Sequence, residues 1–121
     1  MQSNIFTQKV HLLEKKNLNI DCQAFANFLD KYYKAGQYIY PDALYNNLKI
    51  GMKSIYEALE LYVDEGLICQ CLEIYCPNCQ RFANVNKYKS VYDIPDSVYC
   101  VHCDMEIESP IKHAIVIYKV L

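Results

Sequence analysis

Tryptophan is absent, arginine occurs once, at Arg81, and only three glycines are spread over 121 residues. So few glycines leave little material for a phosphate-cradling loop, and no P-loop, H-E-x-x-H or G-x-S-x-G motif occurs. No constellation of nucleophile, base and orienting group stands out either, so no catalytic activity and no small-molecule substrate are expected. The lone arginine removes most of the side chains that commonly read guanine in DNA. No apolar run reaches the roughly 18 residues that a membrane span needs. The opening stretch, Met1 to Phe6, lacks the charged and apolar blocks of a secretory signal, so a cytoplasmic chain with no membrane role is expected. Net charge is only −2, which gives no general attraction for nucleic acid. Hydrophobic residues make up 53% of the chain, too many for a disordered protein. A chain of this length can bury a core without disulfides, as one domain or a small domain with an attached module.

Seven cysteines stand out against this background: Cys22, Cys69, Cys71, Cys76, Cys79, Cys100 and Cys103. An odd number with no export signal is a poor disulfide framework. Four of them form Cys76-Pro77-Asn78-Cys79, twenty intervening residues, then Cys100-Val101-His102-Cys103. This C-x2-C-x20-C-x2-C spacing lies in the range of structural zinc sites. Two cysteines separated by two residues turn both sulfurs toward one point, and two such knuckles complete a tetrahedron around Zn²⁺. The intervening residues are expected to run out and back as a hairpin, giving a zinc ribbon. Backbone N–H groups in each knuckle can bond the sulfurs. Four thiolates close the site, so one structural zinc ion, ligated by Cys76, Cys79, Cys100 and Cys103, is expected, coupled to folding. Gln80 and Asp104 follow the two knuckles, at positions where many ribbons have glycine.

The other cysteines and the histidines carry two readings each. Cys69 and Cys71 share a face if they lie on a strand. They either join Cys22 in a second metal or redox site or are buried as small hydrophobes. His102, inside a knuckle, reads as a surface residue. His113 alternates with Ile111 and Ile115 on an expected strand. His11 has no evident partner.

Residues 1–20 fit either a short helix, with Phe6, Lys9, Val10 and Leu13 on one side, or a short strand through Val10 and Leu12. Asp21 caps an expected helix to about Ala35, with Phe25, Phe28, Leu29 and Tyr32 as its apolar stripe and Gly36 as its stop. The stretch Gln37 to Tyr40 is β-prone. Pro41 suits the first turn of a second helix through Leu48. Gly51 punctuates, and a third helix covers Met52 to Glu65, ended by Gly66. Strands are expected at Leu67 to Tyr75 and Ile111 to Leu121.

This order, with Tyr40-Pro41-Asp42-Ala43-Leu44-Tyr45-Asn46-Asn47-Leu48-Lys49-Ile50-Gly51 and then Ser54 to Ile68, resembles the winged-helix fold. The ending Leu59-x-x-Tyr62-x-x-x-Gly66-Leu67-Ile68 resembles the L-x-x-L-x-x-x-G-L-I type found where a third helix turns into the wing hairpin. The resemblance implies an α+β winged helix over 1–75 plus 110–121. A four-cysteine zinc ribbon at 76–109 would lie between the two hairpin strands. A winged helix with a zinc ribbon is similar in architecture to the amino-terminal half of the alpha subunit of general transcription factor E and its archaeal relatives. There the ribbon follows the winged helix; here it precedes the last strand.

Charge does not favour a DNA-reading third helix. Residues 51–66 set Lys53 against Glu57, Glu60, Asp64 and Glu65. Residues 76–109 set Arg81, Lys87 and Lys89 against Asp93, Asp96, Asp104, Glu106 and Glu108. Phosphate would be repelled from both. Lys9, Lys15, Lys16, Lys31, Lys34 and Lys49 form either a weak phosphate-facing patch or a solvated face. Asn46, Asn47, Lys49, Lys53 and Ser54 are the candidate contacts if DNA is bound, by a single chain or a homodimer. Twelve tyrosines point toward protein interfaces. Tyr32, Tyr33, Tyr38, Tyr40 and Tyr45 cluster in sequence and serve either packing or contact. Stacking on single-stranded bases normally needs a basic groove, which the sequence does not display. Tyr88, Tyr92 and Tyr99, with Arg81, are the candidate partner contacts on the ribbon arm. A protein-docking module is therefore the first expectation, a helix-turn-helix DNA regulator the second.

Overall fold

The computed structural model describes residues 4–121; the first three residues of the expected 1–75 segment lie outside them. Helix α1 spans Val10–Lys15, after a 3-10 turn at Thr7–Lys9. Helices α2, α3 and α4 span Cys22–Tyr32, Pro41–Leu48 and Met52–Asp64. Strands β1 (Tyr38–Ile39), β2 (Ile68–Ile74) and β5 (Ala114–Val120) form a sheet in the order β1-β5-β2, with β1 antiparallel to β5. Strands β3 (Ser97–Tyr99) and β4 (Glu106–Glu108) form a separate antiparallel pair. The fold is α+β. It divides into a helical unit, residues up to 69 plus 118–121, and a metal-arm unit, residues 70–117.

Sequence logic explains most of the helical unit. The Asp21 carboxylate accepts the Ala24 N–H at 3.0 Å, which starts α2. Phe25 and Leu29 of its stripe are buried. Pro41 opens α3, where a missing N–H costs nothing. In α4, Ile55, Ala58, Leu59 and Tyr62 form a fully buried stripe. Its end is a Schellman motif: the Gly66 N–H bonds Val63 O and the Leu67 N–H bonds Tyr62 O, with Gly66 at φ 81°.

Three expectations change. First, α2 stops at Tyr32, short of Ala35. Tyr33 is extended, the Lys34 N–H donates to the Gln37 side chain at 2.7 Å, and the Lys34 ammonium bonds Asp30 O at 2.8 Å. These side chains satisfy the helix end, and Gly36 instead serves the turn into β1, at φ 87°. Second, residues 111–113 are not strand. Ser109 is left-handed at φ 52°, and Pro110 starts a 3-10 turn through His113, so β5 begins at Ala114. Third, the twenty residues between the knuckles do not form one hairpin. Tyr88 bridges back to Leu72 of β2, and a 3-10 turn at Val91–Asp93 leads into β3. Each knuckle instead closes its own small hairpin. Residues 1–20 carry two readings, helix or strand; among the described residues the helix holds over 7–15.

That amino-terminal part is pinned by a carboxylate. Asp30 is buried and accepts the Phe6 N–H at 3.0 Å, the Thr7 N–H at 2.9 Å and the Thr7 hydroxyl. The Tyr62 hydroxyl donates to Phe6 O at 2.9 Å, and the two rings meet edge-on at 5.0 Å. The two backbone N–H donors are thus satisfied beside a fully buried phenylalanine, and the Thr7 hydroxyl also lies 3.2 Å from the Asn27 side-chain oxygen.

Candidate metal centre

The two knuckles are built alike. In the first, the Cys76 N–H donates to Arg81 O at 2.7 Å and the Gln80 N–H donates to Cys76 O at 3.0 Å. In the second, the Cys100 N–H donates to Met105 O at 2.9 Å and the Asp104 N–H donates to Cys100 O at 2.9 Å. Gln80 and Asp104 both sit at φ 59°, in the left-handed region that glycine adopts most easily. The departure from glycine noted in the sequence therefore does not abolish the turn; two L-residues take up its conformation. The Arg81 and Met105 N–H groups bond the sulfurs of Cys79 and Cys103.

Strand pairing brings the knuckles together from twenty residues apart. The first is flanked by a Tyr75–Phe82 bridge, the second by β3 and β4. The Ala83 N–H bonds Ile74 O, and the Val101 N–H bonds Ala83 O, which ties the second knuckle to the first. Ile74, Cys76, Ala83, Val98, Cys100 and Ile107 form the buried core beneath.

All four ligand sulfurs lie within 4.8 Å of one another. Cys76 and Cys103 are 3.7 Å apart and Cys79 and Cys100 3.5 Å apart. Both separations far exceed a disulfide bond of about 2.05 Å. They approach the edge of about 3.8 Å that a tetrahedron with metal–sulfur distances of about 2.3 Å requires. This group could hold a metal ion. Among the described residues no other cluster of histidine, cysteine and carboxylate donors is close enough to share one.

The protein moves the two outer thiols in opposite directions. Partial burial, then hydrogen bonds shared with Cys100 and Cys76, push the Cys79 thiol up to about 12. The Asn78 side-chain amide, 3.5 Å from its sulfur, and then the Met105 N–H draw the Cys103 thiol down to about 7. Four adjacent thiols cannot all ionise unaided, and a cation supplies the charge that lets them.

The remaining sequence candidates scatter. Cys71 is buried, while Cys69 and Cys22 are half-buried. His11 and His102 are exposed, and His113 lies in the 3-10 turn with its carbonyl accepting from the Tyr75 N–H. Tyr88 packs against the metal-arm core, whereas Tyr92 and Tyr99 are 94% and 62% exposed. Arg81 is exposed. Of the candidate DNA contacts, Asn46, Asn47, Lys49 and Lys53 are exposed and Ser54 is half-buried. The Asn47 amide bonds Ala43 O, and Lys53 faces Glu57 at 4.0 Å. The outer side of α4 carries a hollow of about 490 Å³ with Leu18, Tyr56 and Leu61 in its wall and Lys16, Lys53, Glu57 and Glu60 around it. Charges of both signs rim it, not a row of cations. Among the six amino-terminal lysines, Lys9 pairs with Glu65 at 3.0 Å.

Sequence inspection missed one ion pair and left the shape made by the clustered tyrosines open. The Glu73–Lys87 pair, 3.6 Å apart with Glu73 buried, links β2 to the segment between the knuckles. Tyr32, Tyr33, Gln37, Tyr38 and Tyr40 line one hollow; their crowding in sequence was the available signal. No helix is long and apolar enough to cross a membrane. No protein-family model matches the chain, and no curated protein or solved structure matches it either.

Proposed function

We propose that this chain is a non-catalytic winged-helix module whose four-cysteine arm holds one structural zinc ion and docks on a larger protein or nucleic-acid-handling assembly. The observation that carries the proposal is the set of apolar side chains left in solvent on the arm: Val85, Tyr92, Tyr99, Val101 and Met105. Aromatic and methionine side chains at a surface are what protein interfaces use. A metal-braced arm presents them at little conformational cost, because its backbone is already fixed. Zinc is favoured by the all-thiolate donor set and the sulfur separations. With four protein ligands no coordination position remains for a substrate, so the ion serves folding. The winged-helix reading is supported by the element order α2-β1-α3-α4-β2-β5 and the sheet order β1-β5-β2, with the arm in the chain between β2 and β5.

Two measurements on one preparation test the reading. Protein purified without chelator should contain one zinc per chain by elemental analysis. A photoreactive benzophenone side chain installed at position 92 or 99 should crosslink that protein, in extract of its own cells, to one other protein in stoichiometric yield. Zinc far below one per chain would overturn the metal assignment. Absence of a crosslink from both positions would overturn docking through the arm.

A further inference from the structure

The hollow lined by Tyr32, Tyr33, Gln37, Tyr38 and Tyr40 lies wholly within the helical unit and measures about 390 Å³, within the range of ligand sites. It forms because α2 ends early. Tyr33 turns to extended backbone, and the chain comes back as β1 beside the last turn of α2. Phe28 supports the rings from below, 4.7 Å from the Tyr32 centroid and 6.4 Å from that of Tyr33. Tyr32 is 54% exposed, so much of its ring remains accessible.

The charge around this hollow differs from that of the molecule. The Lys31 ammonium sits over the Tyr32 ring, 5.2 Å from its centroid. Lys34 is exposed, and its ammonium, bonded to Asp30 O at 2.8 Å, keeps two further N–H groups for an anion. Lys119 lies directly across from Tyr38 in the β1–β5 register, so the two share a sheet face. The neighbouring pair, Ile39 and Tyr118, is fully buried on the opposite face, which leaves Tyr38 and Lys119 facing outward. No lining residue carries a carboxylate. Nearby Asp30 is buried against the Phe6 and Thr7 donors, and Asp42 lies close enough to Tyr56 of α4 to raise that phenol. A chain with net charge −2 thus concentrates three lysines around four tyrosines.

We propose that this hollow binds single-stranded nucleic acid, with the tyrosine rings stacking on bases and Lys31, Lys34 and Lys119 meeting phosphates. Aromatic platforms beside cations are how proteins hold single strands without reading sequence. One repeating polymer satisfies both features, because each nucleotide brings a flat base and a negative charge. A proline-rich peptide would fill the aromatic hollow but leave the lysines unanswered unless it were also acidic. The inference is independent of the metal arm and of the winged-helix reading, since it rests on α2, β1 and β5 alone.

Fluorescence anisotropy of labelled dT12 and U12, titrated with the zinc-loaded full chain at several salt concentrations, tests it. Three lysine–phosphate contacts predict a log–log salt slope of about −2 for a single strand. Tyr32→Ala should weaken binding by about tenfold and Tyr32→Phe should restore it, because the ring and not the hydroxyl stacks. Lys119→Ala should flatten the slope by about 0.7. Tighter binding of U12 would assign the site to RNA, and of dT12 to DNA; either supports the proposal. No binding at low salt, or binding that Tyr32→Ala leaves unchanged while the variant keeps its far-ultraviolet circular dichroism, would overturn it. Capture of an acidic proline-rich peptide but not of either oligonucleotide would also overturn it and mark the hollow as a peptide groove.

Discussion

Gln80 and Asp104 occupy a backbone conformation that crowds a β-carbon against the following carbonyl, a cost of about 1 kcal/mol or more for an L-residue. Aspartate tolerates this region better than glutamine does, because its short side chain bonds locally. Gln80→Gly is therefore expected to stabilise the protein by about 1 kcal/mol in urea unfolding, and Gln80→Val to destabilise it. The position was visible in the sequence through its place after a C-x2-C pair. Its φ angle was not, since residue type alone pointed away from a left-handed turn. The opposed shifts of Cys79 and Cys103 belong to the same scale. Their causes are Asn78, Met105 and burial, and only the folded knuckle brings these to the sulfurs.

Among the elements, α2 is the pivot of the helical unit. Its buried Asp30 holds the amino-terminal turn, and its early end opens the tyrosine hollow. Asp30→Ala leaves the Phe6 and Thr7 amides without their acceptor, and an expected loss of about 3 kcal/mol follows from unmade buried hydrogen bonds. Urea denaturation with an unchanged m value would register it; a loss below about 1 kcal/mol would show that the carboxylate is replaceable. The start of α2, the proline that opens α3 and the glycine that closes α4 were legible, because caps and apolar stripes are local. The end of α2 was not. Gly36 offered a better local stop than Tyr32, but the Lys34 and Gln37 bonds outweighed it. The last strand was read too long for a similar reason. Ile111 and His113 alternate as a strand would, yet Ser109 and Pro110 commit them to a turn.

Across the molecule, pH couples to folding through buried phenols. Burial raises the Tyr62 hydroxyl well above its usual 10, with Asp30 adding to the effect. Burial and the nearby Glu60 do the same to Tyr118, whose hydroxyl contacts Glu60 at 3.3 Å. A folded-state pKa above the unfolded one contributes stability that is fully present below about pH 10. It is lost as pH rises through the raised values. Urea midpoints should fall more steeply above about pH 10.5 than between about pH 8 and 9.5, where only the raised thiols contribute, and Tyr118→Phe should lessen the steep part of the fall. Uneven charge belongs to this scale as well. The net value of −2 describes the chain, while Lys31 and Lys119 stand beside Tyr32 and Tyr38 of the hollow.

The donor set of the metal arm, the lack of a catalytic motif, and the local starts and stops of most helices could all be read from the order of amino acids. Each knuckle, cap and stop depends on residues within about one turn of each other, where spacing alone fixes geometry. Packing of distant segments settled the rest. It brought sulfurs 21 to 27 positions apart to within 4.8 Å, gave Asp30 its amides, paired Glu73 with Lys87, and set Lys119 across from Tyr38. Those pairings join residues far apart in the chain, and their free energy comes from burial and strand register. Neither leaves a local trace in the sequence.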